Sequence, residues 1–198
     1  MNGRIVFLLE EPSMKLLLES LLPRLFPGWA VREHFLCVPH EGKNDLRISI
    51  PRKLRAWQER SDRFVVVQDQ DSSDCVLLKQ YLVGLCSDAG RPDSLVRIVC
   101  HELEAWYIGD LDALSQEYGT ASLRHKDSRR RFRDPDCIDK PSRILERLLP
   151  GFQKLSGARR MGMKISLETN ASKSFATFIS GVQRVAAEMG YLTPQIPS

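Results

Sequence analysis

The stretch RFVVVQDQDSSDC, residues 63–75, decides the fold. Its apolar run, residues 64–67, leads directly into Asp69 and Asp71, and Asp74 follows closely. A continuous apolar run rich in β-branched residues predicts a strand that is buried on both faces, as in a parallel sheet. The carboxylates then lie at the carboxyl end of the strand, where open parallel sheets bind their ligands.

Further segments of the same kind alternate with helical segments along the chain. Strands are predicted at GRIVFLLEE (3–11), WAVREHFLCV (29–38) and LVRIVC (95–100), and helices at PSMKLLLESLLPRLF (12–26), IPRKLRAWQER (50–60) and SDCVLLKQYLVGLCSDAG (73–90). EGKNDL (41–46) is predicted to be a loop, and Pro23 is expected to bend or end the first helix. This alternation predicts an α/β fold with a mostly parallel sheet flanked by helices.

The composition is that of a globular protein. With 198 residues, 42% hydrophobic and 27% charged, the chain is long enough to bury a sizeable core. The start of the sequence has no secretory signal pattern, and no apolar run approaches the roughly 18 residues of a membrane span. The five cysteines include no Cys-x-x-Cys pair, which argues against disulfide and zinc frameworks. We therefore expect a cytoplasmic protein with no membrane partner.

Positive charge is concentrated in one part of the chain. Residues 121–164 contain 13 Lys and Arg against 5 Asp and Glu, so this block carries +8 while the whole chain carries +4. Such a block is typical of proteins that bind a polyanion, here DNA or RNA. The alternative is a solvated basic segment that pairs with acids of the same chain. The candidate nucleic-acid contacts are Lys43, Arg124, Lys126, Arg129, Arg130, Arg131, Arg133, Lys140, Arg143, Arg159 and Arg160.

Acidic residues follow three of the four predicted strands. Glu10 and Glu11 end the first strand, Asp69 and Asp71 the third, and the pair Glu102 and Glu104 comes just after the fourth. Converging carboxylates repel one another unless a cation lies between them, and Mg²⁺ or Mn²⁺ prefers oxygen ligands of this kind. We expect Glu10, Asp69 and Asp71 to hold the metal, with Glu102 or Glu104 assisting. Glu11 is expected to be solvated or supporting, whereas Asp74 fits a helix N-cap.

These motifs resemble the TOPRIM domain, which topoisomerases, bacterial primases and OLD-family nucleases share. LEEPSMKLLLESLLP (9–23) is similar to its first motif and VVVQDQDSSDC (65–75) to its second. IVCHELEAWYIGD (98–110) and the Gly42–Leu46 loop are similar to a poorly characterised branch found beside ATPases in bacterial defence loci. The resemblance implies a metal-dependent nuclease, with Glu10, Asp69 and Asp71 as catalytic metal ligands and Glu102 and Glu104 as further catalytic candidates. It also implies an ABC/OLD-type ATPase partner and a role in anti-phage defence.

The first motif departs from the OLD-like pattern, because Met14 stands where a second glutamate is usual. This departure supports an alternative function, a catalytically degenerate module that binds nucleic acid or docks on an ATPase. A phosphatase or nucleotide hydrolase acting on small molecules is a third reading, which the large basic block disfavours. His101 as a general base, and Lys154 or Lys173 as a lysine that stabilises the transition state, stay open. The domain organisation predicted is a TOPRIM-like domain at 1–118 with a basic, helical extension at 119–198, whose segment 119–140 is expected to be loop-like and mobile.

Overall fold

The computed structural model describes residues 3–191 and confirms the α/β class. Its four strands form one parallel sheet in the order β2-β1-β3-β4. The strands are β1 Ile5–Leu9, β2 Phe35–Pro39, β3 Arg63–Asp69 and β4 Leu95–Val99. The helices are α1 Pro12–Leu25, α2 Lys43–Ala56, α3 Cys75–Asp88, α4 Glu104–Ile108, α5 Leu111–Tyr118, α6 Lys126–Arg131, α7 Pro141–Leu148, α8 Lys154–Lys164 and α9 Lys173–Glu188.

The two central strands, β1 and β3, are buried because helices cover both faces of the sheet. Along β1, Phe7 and its neighbours at odd positions belong to a large core cluster with α1, α8 and α9. Val6 and Leu8 belong instead to a smaller cluster with α2 and α3. Alternate side chains of a strand point to opposite faces, which explains this division and the continuous apolar run in the sequence.

The register of the sheet brings the ends of β1, β3 and β4 to one edge. Leu9 pairs with Val67, and Asp69 pairs with Val99. The residues that follow each strand, beginning with Glu10 on β1, therefore emerge side by side at the carboxyl edge of the sheet. This edge carries the candidate site.

Three predictions of local structure are wrong in part. The second strand begins only at Phe35, because Arg32 has a φ of 70° and the His34 N–H donates to the Ala30 carbonyl at 3.0 Å. The predicted loop at 41–46 contains the start of α2 at Lys43, for which Gly42 supplies an N-cap with a φ of 93°. Helix α1 extends through Pro23 and ends just beyond it, at Leu25.

The segment 119–140 is more ordered in its secondary structure than its composition predicts. It contains α6 and two short 3₁₀ turns, at Ala121–Arg124 and Pro135–Cys137. Leu123 and Phe132 are 2% and 5% exposed and belong to the large core cluster. These two apolar side chains attach an otherwise polar segment to the core. Phe132 is therefore a packing residue and not an exposed ring on which a base could stack.

The remaining helices of the basic extension complete the large core. Helix α8 packs along α1, and α9 packs beside β4. The ring centres of Phe178 in α9 and Phe7 in β1 are 6.4 Å apart. Residues 1, 2 and 192–198 of the predicted domain bounds lie outside the described residues. Across residues 3–191, no helix has the length and apolarity that crossing a membrane requires.

Candidate metal centre at the carboxyl edge of the sheet

Glu10 and Asp69 are held together by the pairing of β1 with β3. The Glu10 N–H donates to the Val67 carbonyl at 3.2 Å, and the Glu10 Oε2 accepts from the Asp69 N–H at 3.0 Å. Burial raises the pKa of Glu10 to about 7, with further increases from Asp71 and Glu11. The pKa of Asp69, which is 5% exposed, rises well above its ordinary value through burial and the charges of neighbouring glutamates.

Asp71 lies at the more open side of the same edge. Its φ is 51°, and its N–H donates to the carbonyl of His101, whose φ is 55°, at 2.8 Å. Left-handed backbone is uncommon for residues other than glycine, so two such residues bonded to each other mark a locally strained junction. The Asp71 Oδ2 accepts from the Lys43 Nζ at 2.8 Å. Lys43 therefore lies at the site, where it partners a carboxylate.

Glu104 is the most deeply buried acid of the group. It is fully buried in the first turn of α4, and neither of its carboxylate oxygens has a hydrogen-bond partner among the described residues. Burial raises the pKa of Glu104 to about 7, although the charge of Lys154 opposes the rise. Tyr107 follows one turn later, and its buried hydroxyl also lacks a partner within residues 3–191.

Lys154 comes from a distant part of the sequence to join these acids. Its Nζ lies 2.7 Å from the Glu11 Oε2, and Glu11 also accepts from the hydroxyl of Ser13. Burial lowers the pKa of Lys154, but Glu104, Glu11 and Asp69 outweigh burial and raise the pKa above its ordinary value. Lys154 therefore stays a cation at the centre of the acidic cluster. Lys173 begins α9 and lines a different cavity, beside Cys100 and Cys137.

Glu102 has a different role from Glu104. Its Oε2 accepts from the Ser142 N–H at 2.9 Å and so satisfies the N-terminus of α7. Met14 is 1% exposed on the buried face of α1, so it contributes no polar group to the site. Asp74 caps α3 by accepting from the Leu77 N–H at 2.9 Å, as predicted for a helix N-cap.

The chemistry of the cluster fits a hard cation, although its present side-chain positions are set by ion pairs with lysines. No group of three or more His, Cys, Asp or Glu side chains within residues 3–191 is arranged to hold a metal. Yet the Asp69 Oδ1 and both Glu104 oxygens are buried without hydrogen-bond partners in this part of the chain. Buried carboxylate oxygens are normally satisfied, and unpartnered ones therefore call for a ligand, water or ion.

The basic block divides into paired and unpaired residues. Arg124 and Arg129 form ion pairs with Asp112, Arg130 with Asp127, and Arg160 with Glu117. Arg131 lies over the ring of Phe132. Within residues 3–191, no ion pair engages Lys126, Arg133, Lys140, Arg143 or Arg159. The alternative prediction, that the basic residues pair with acids of the same chain, is thus correct for part of the block.

Sequence reasoning reached the strand-end acids but not all of the cluster. Glu11 was expected to be solvated or supporting, and it lies between Lys154 and Ser13. The sequence patterns do not predict a role for Tyr107, and its helical position after Glu104 is the one local signal that places it beside the acids. Lys43 was proposed as a contact to nucleic acid, and its partner in the structure is Asp71.

A family model described as a domain of unknown function, DUF4276, matches residues 9–183. This match covers most of the sequence, so the chain belongs to that family. Searches among curated proteins and among solved structures gave no match.

Proposed function

We propose that this member of the DUF4276 family is a Mg²⁺- or Mn²⁺-dependent hydrolase of phosphodiester bonds in DNA or RNA. One observation carries the proposal: Glu10, Asp69 and Glu104 are brought from three chain segments into one buried, acidic cluster with unpartnered oxygens. The cluster lies at the carboxyl edge of a parallel sheet, where ligands of such folds bind. The resemblance of its motifs to TOPRIM domains and OLD-family nucleases supports the same chemistry.

The residues divide into groups with distinct roles. Glu10, Asp69 and Asp71 would hold the cation, and Glu104 would add negative charge behind them. The bound cation would polarise a phosphate group and stabilise the charge that develops on its oxygens. Lys154, which stays protonated among the acids, and Lys43, at the open side, would bind phosphate oxygens.

The unpaired cations of the basic block are proposed to bind the nucleic-acid backbone. Lys126, Arg133, Lys140, Arg143 and Arg159 have no competing ion pair in the described chain, so their binding to phosphate would not require breaking one. A role in anti-phage defence, together with an ABC/OLD-type ATPase, extends the proposal by family resemblance alone. The cysteine pattern adds the expectation that the protein acts on nucleic acid in the cytoplasm.

The test compares Asp69→Asn and Asp71→Asn with Asp74→Asn as a matched control. Asp74 lies in the same turn and caps α3, and asparagine caps as well as aspartate does. Each variant is titrated with Mg²⁺ and Mn²⁺ while the unfolding temperature is recorded. Cleavage of supercoiled DNA and of total tRNA is then measured with the metal present.

At a metal concentration of about 100 Kd, binding adds roughly 2.7 kcal/mol to stability, which raises the unfolding temperature by about 5–10 °C. We expect this rise and metal-dependent cleavage in the wild type and Asp74→Asn, and neither in Asp69→Asn or Asp71→Asn. Equal responses in all variants would contradict the assignment of the site.

The ion pairs of Lys43 and Lys154 favour a second candidate, a binding module in which lysines neutralise the acids permanently. Such a module would bind nucleic acid without a metal response, and Asp69→Asn would leave that binding unchanged.

A further inference from the structure

A cavity lies at the amino edge of the sheet, opposite the carboxylate cluster. Its walls come from the end of α2 and from the connections that lead into β3 and β4. The volume of this cavity, hereafter the amino-edge cavity, is about 570 Å³, which is in the range of sites for small molecules. Because β3 has seven residues with a rise of roughly 3.3 Å each, the two edges are roughly 20 Å apart.

Three arginines line the amino-edge cavity and make it cationic. They are Arg55, Arg60 and Arg91, and one acid, Asp93, lines the cavity with them. The charge of Asp93 is already compensated, because Asp93 forms an ion pair with Arg63. No ion pair within residues 3–191 engages any of the three arginines. Like charges around one cavity repel each other, and a bound anion would relieve this repulsion.

The hydrogen bonds that these arginines make within the fold do not neutralise them. The Arg55 Nη2 donates to the Asp88 carbonyl at 3.2 Å, and the Arg91 Nη2 donates to the Glu59 carbonyl at 3.4 Å. Both bonds are long and end on neutral oxygens, and each uses one of the five N–H donors of a guanidinium. The Glu59 carboxylate accepts instead from the N–H and the hydroxyl of Ser61, at 3.2 and 2.7 Å. Bonding to carbonyls therefore does not explain why three cations lie together.

An aromatic side chain forms part of the same wall. Trp57 lines the cavity, and its ring packs edge-on against Phe64 with the ring centres 5.4 Å apart. The Trp57 Nε1 also donates to the Asp62 Oδ2 at 3.0 Å. The Arg91 guanidinium lies 5.1 Å from the centre of the same Phe64 ring. An indole and a guanidinium are thus held in place before a ligand binds, which lowers the entropic cost of binding.

We propose that the amino-edge cavity binds a nucleoside diphosphate, with the phosphates on the arginines and the base against Trp57. Guanidinium groups match phosphate oxygens through paired N–H donors, and a diphosphate carries several negative charges to balance the arginines. Nucleobases stack on aromatic side chains, whereas an aliphatic polyanion would leave the indole without a partner. The inference is independent of the hydrolase proposal, because the candidate metal centre lies at the other edge of the sheet.

The test measures the binding of ADP to the full-length protein by isothermal titration calorimetry. EDTA is present throughout, so no cation at the carboxylate cluster contributes to binding. The test variants are Arg60→Gln and Arg55→Gln/Arg60→Gln, both at exposed positions. The control is Arg52→Gln/Arg184→Gln, which removes the same charge as the double variant from exposed arginines that do not line the cavity. Circular dichroism and the unfolding temperature check that each variant is folded.

Pyrophosphate, adenosine and a short single-stranded DNA are compared with ADP as ligands. We expect ADP to bind wild type and the control equally, and to bind Arg55→Gln/Arg60→Gln weaker by about tenfold or more, since charge-assisted hydrogen bonds are lost. Arg60→Gln should have an intermediate affinity. Pyrophosphate should bind wild type about tenfold more weakly than ADP, because it lacks the stacking base, and adenosine should not bind measurably.

Absence of ADP binding at millimolar concentration, or equal binding to the control and Arg55→Gln/Arg60→Gln, would overturn the proposal. Equal affinities of pyrophosphate and ADP would also overturn it, because the base would then make no contact. Single-stranded DNA that binds more tightly than ADP, and loses that binding in the same double variant, would assign the cavity to the nucleic-acid backbone instead.

Discussion

Replacing Glu104 by glutamine should stabilise the protein above neutral pH. Glu104 is fully buried, and its pKa rises from 4.5 to about 7, chiefly because burial removes the carboxylate from water. Between these two values the folded state binds a proton that the unfolded state has already released. Stability therefore falls as the pH rises through this window, and the full penalty is present above pH 7. Glutamine has nearly the same shape and cannot ionise, so it removes the penalty.

The size of the effect follows from the shift in pKa. At about 1.4 kcal/mol for each tenfold change in proton affinity, the penalty is roughly 3 kcal/mol. The free energy of unfolding is measured with urea at pH 5 and pH 8 for wild type and Glu104→Gln. With a urea dependence of about 1–3 kcal/mol per molar, the unfolding midpoint of the variant at pH 8 should exceed that of the wild type by roughly 1–3 M. At pH 5, which is only slightly above the ordinary pKa of a glutamate, the two midpoints should differ by about a quarter of that amount.

Glu146→Gln provides the control, because it makes the same replacement at an exposed glutamate on α7. If the free energies of unfolding of wild type and Glu104→Gln fall in parallel between pH 5 and pH 8, ionisation of Glu104 does not destabilise the folded state, and the reasoning is refuted. If the hydrolase proposal is correct, saturating Mg²⁺ at pH 8 should narrow the difference, because a cation would compensate the charge of Glu104.

Three further predictions concern the surroundings of the site. Glu102→Ala should cost roughly 1 kcal/mol in urea unfolding, because the Ser142 N–H at the start of α7 loses its acceptor, while any metal-induced rise in unfolding temperature should persist. Arg133→Ala should weaken tRNA binding and reduce the slope of log affinity against log salt by about 0.7–0.9. Arg129→Ala breaks an ion pair with Asp112 and should lower the free energy of unfolding by at most about 1 kcal/mol. Gly162→Ala should destabilise by roughly 1–3 kcal/mol, because the new methyl group would lie 2.5 Å from the Leu17 carbonyl oxygen; Gly84→Ala, with no atom within 4 Å, should instead stabilise by up to about 1 kcal/mol.

The strands could be predicted from the sequence because a parallel sheet buried on both faces requires continuous apolar runs. The same argument placed Glu10, Asp69 and Asp71 at the ends of those strands, since the period of a strand and the direction of a parallel sheet are fixed. The start of α2 was missed because Gly42 and Lys43 have the polar composition of a loop. Only the N-cap geometry of Gly42, with its φ of 93°, shows that the helix begins there.

The rest of the site depends on tertiary packing that local patterns do not encode. Lys154 reaches Glu11 because α8 packs along α1, with Gly162 allowing the close approach of the two helices. Likewise, the choice between Glu102 and Glu104 depends on the turn after β4. In that turn, Glu102 accepts a hydrogen bond from the N-terminus of α7, whereas Glu104 is buried with no hydrogen-bond partner within residues 3–191.

A comparison of two buried aspartates separates a structural carboxylate from one suited to a ligand. Asp62, 1% exposed, lies just before β3 and accepts from the Arg4 N–H at 2.7 Å, the Arg4 guanidinium at 2.9 Å and the Trp57 Nε1 at 3.0 Å. Asp69, at the other end of the same strand, is 5% exposed, and its Oδ1 has no partner within residues 3–191.

Burial alone therefore does not account for the unpartnered oxygen, because the fold satisfies an equally buried aspartate at the opposite edge. Departures of this kind persist where function requires them, and the large apolar core offsets their cost. The concentration of unpartnered, buried carboxylate oxygens at one edge of the sheet is thus a physical argument, independent of any resemblance, that this edge is where the protein meets its ligand.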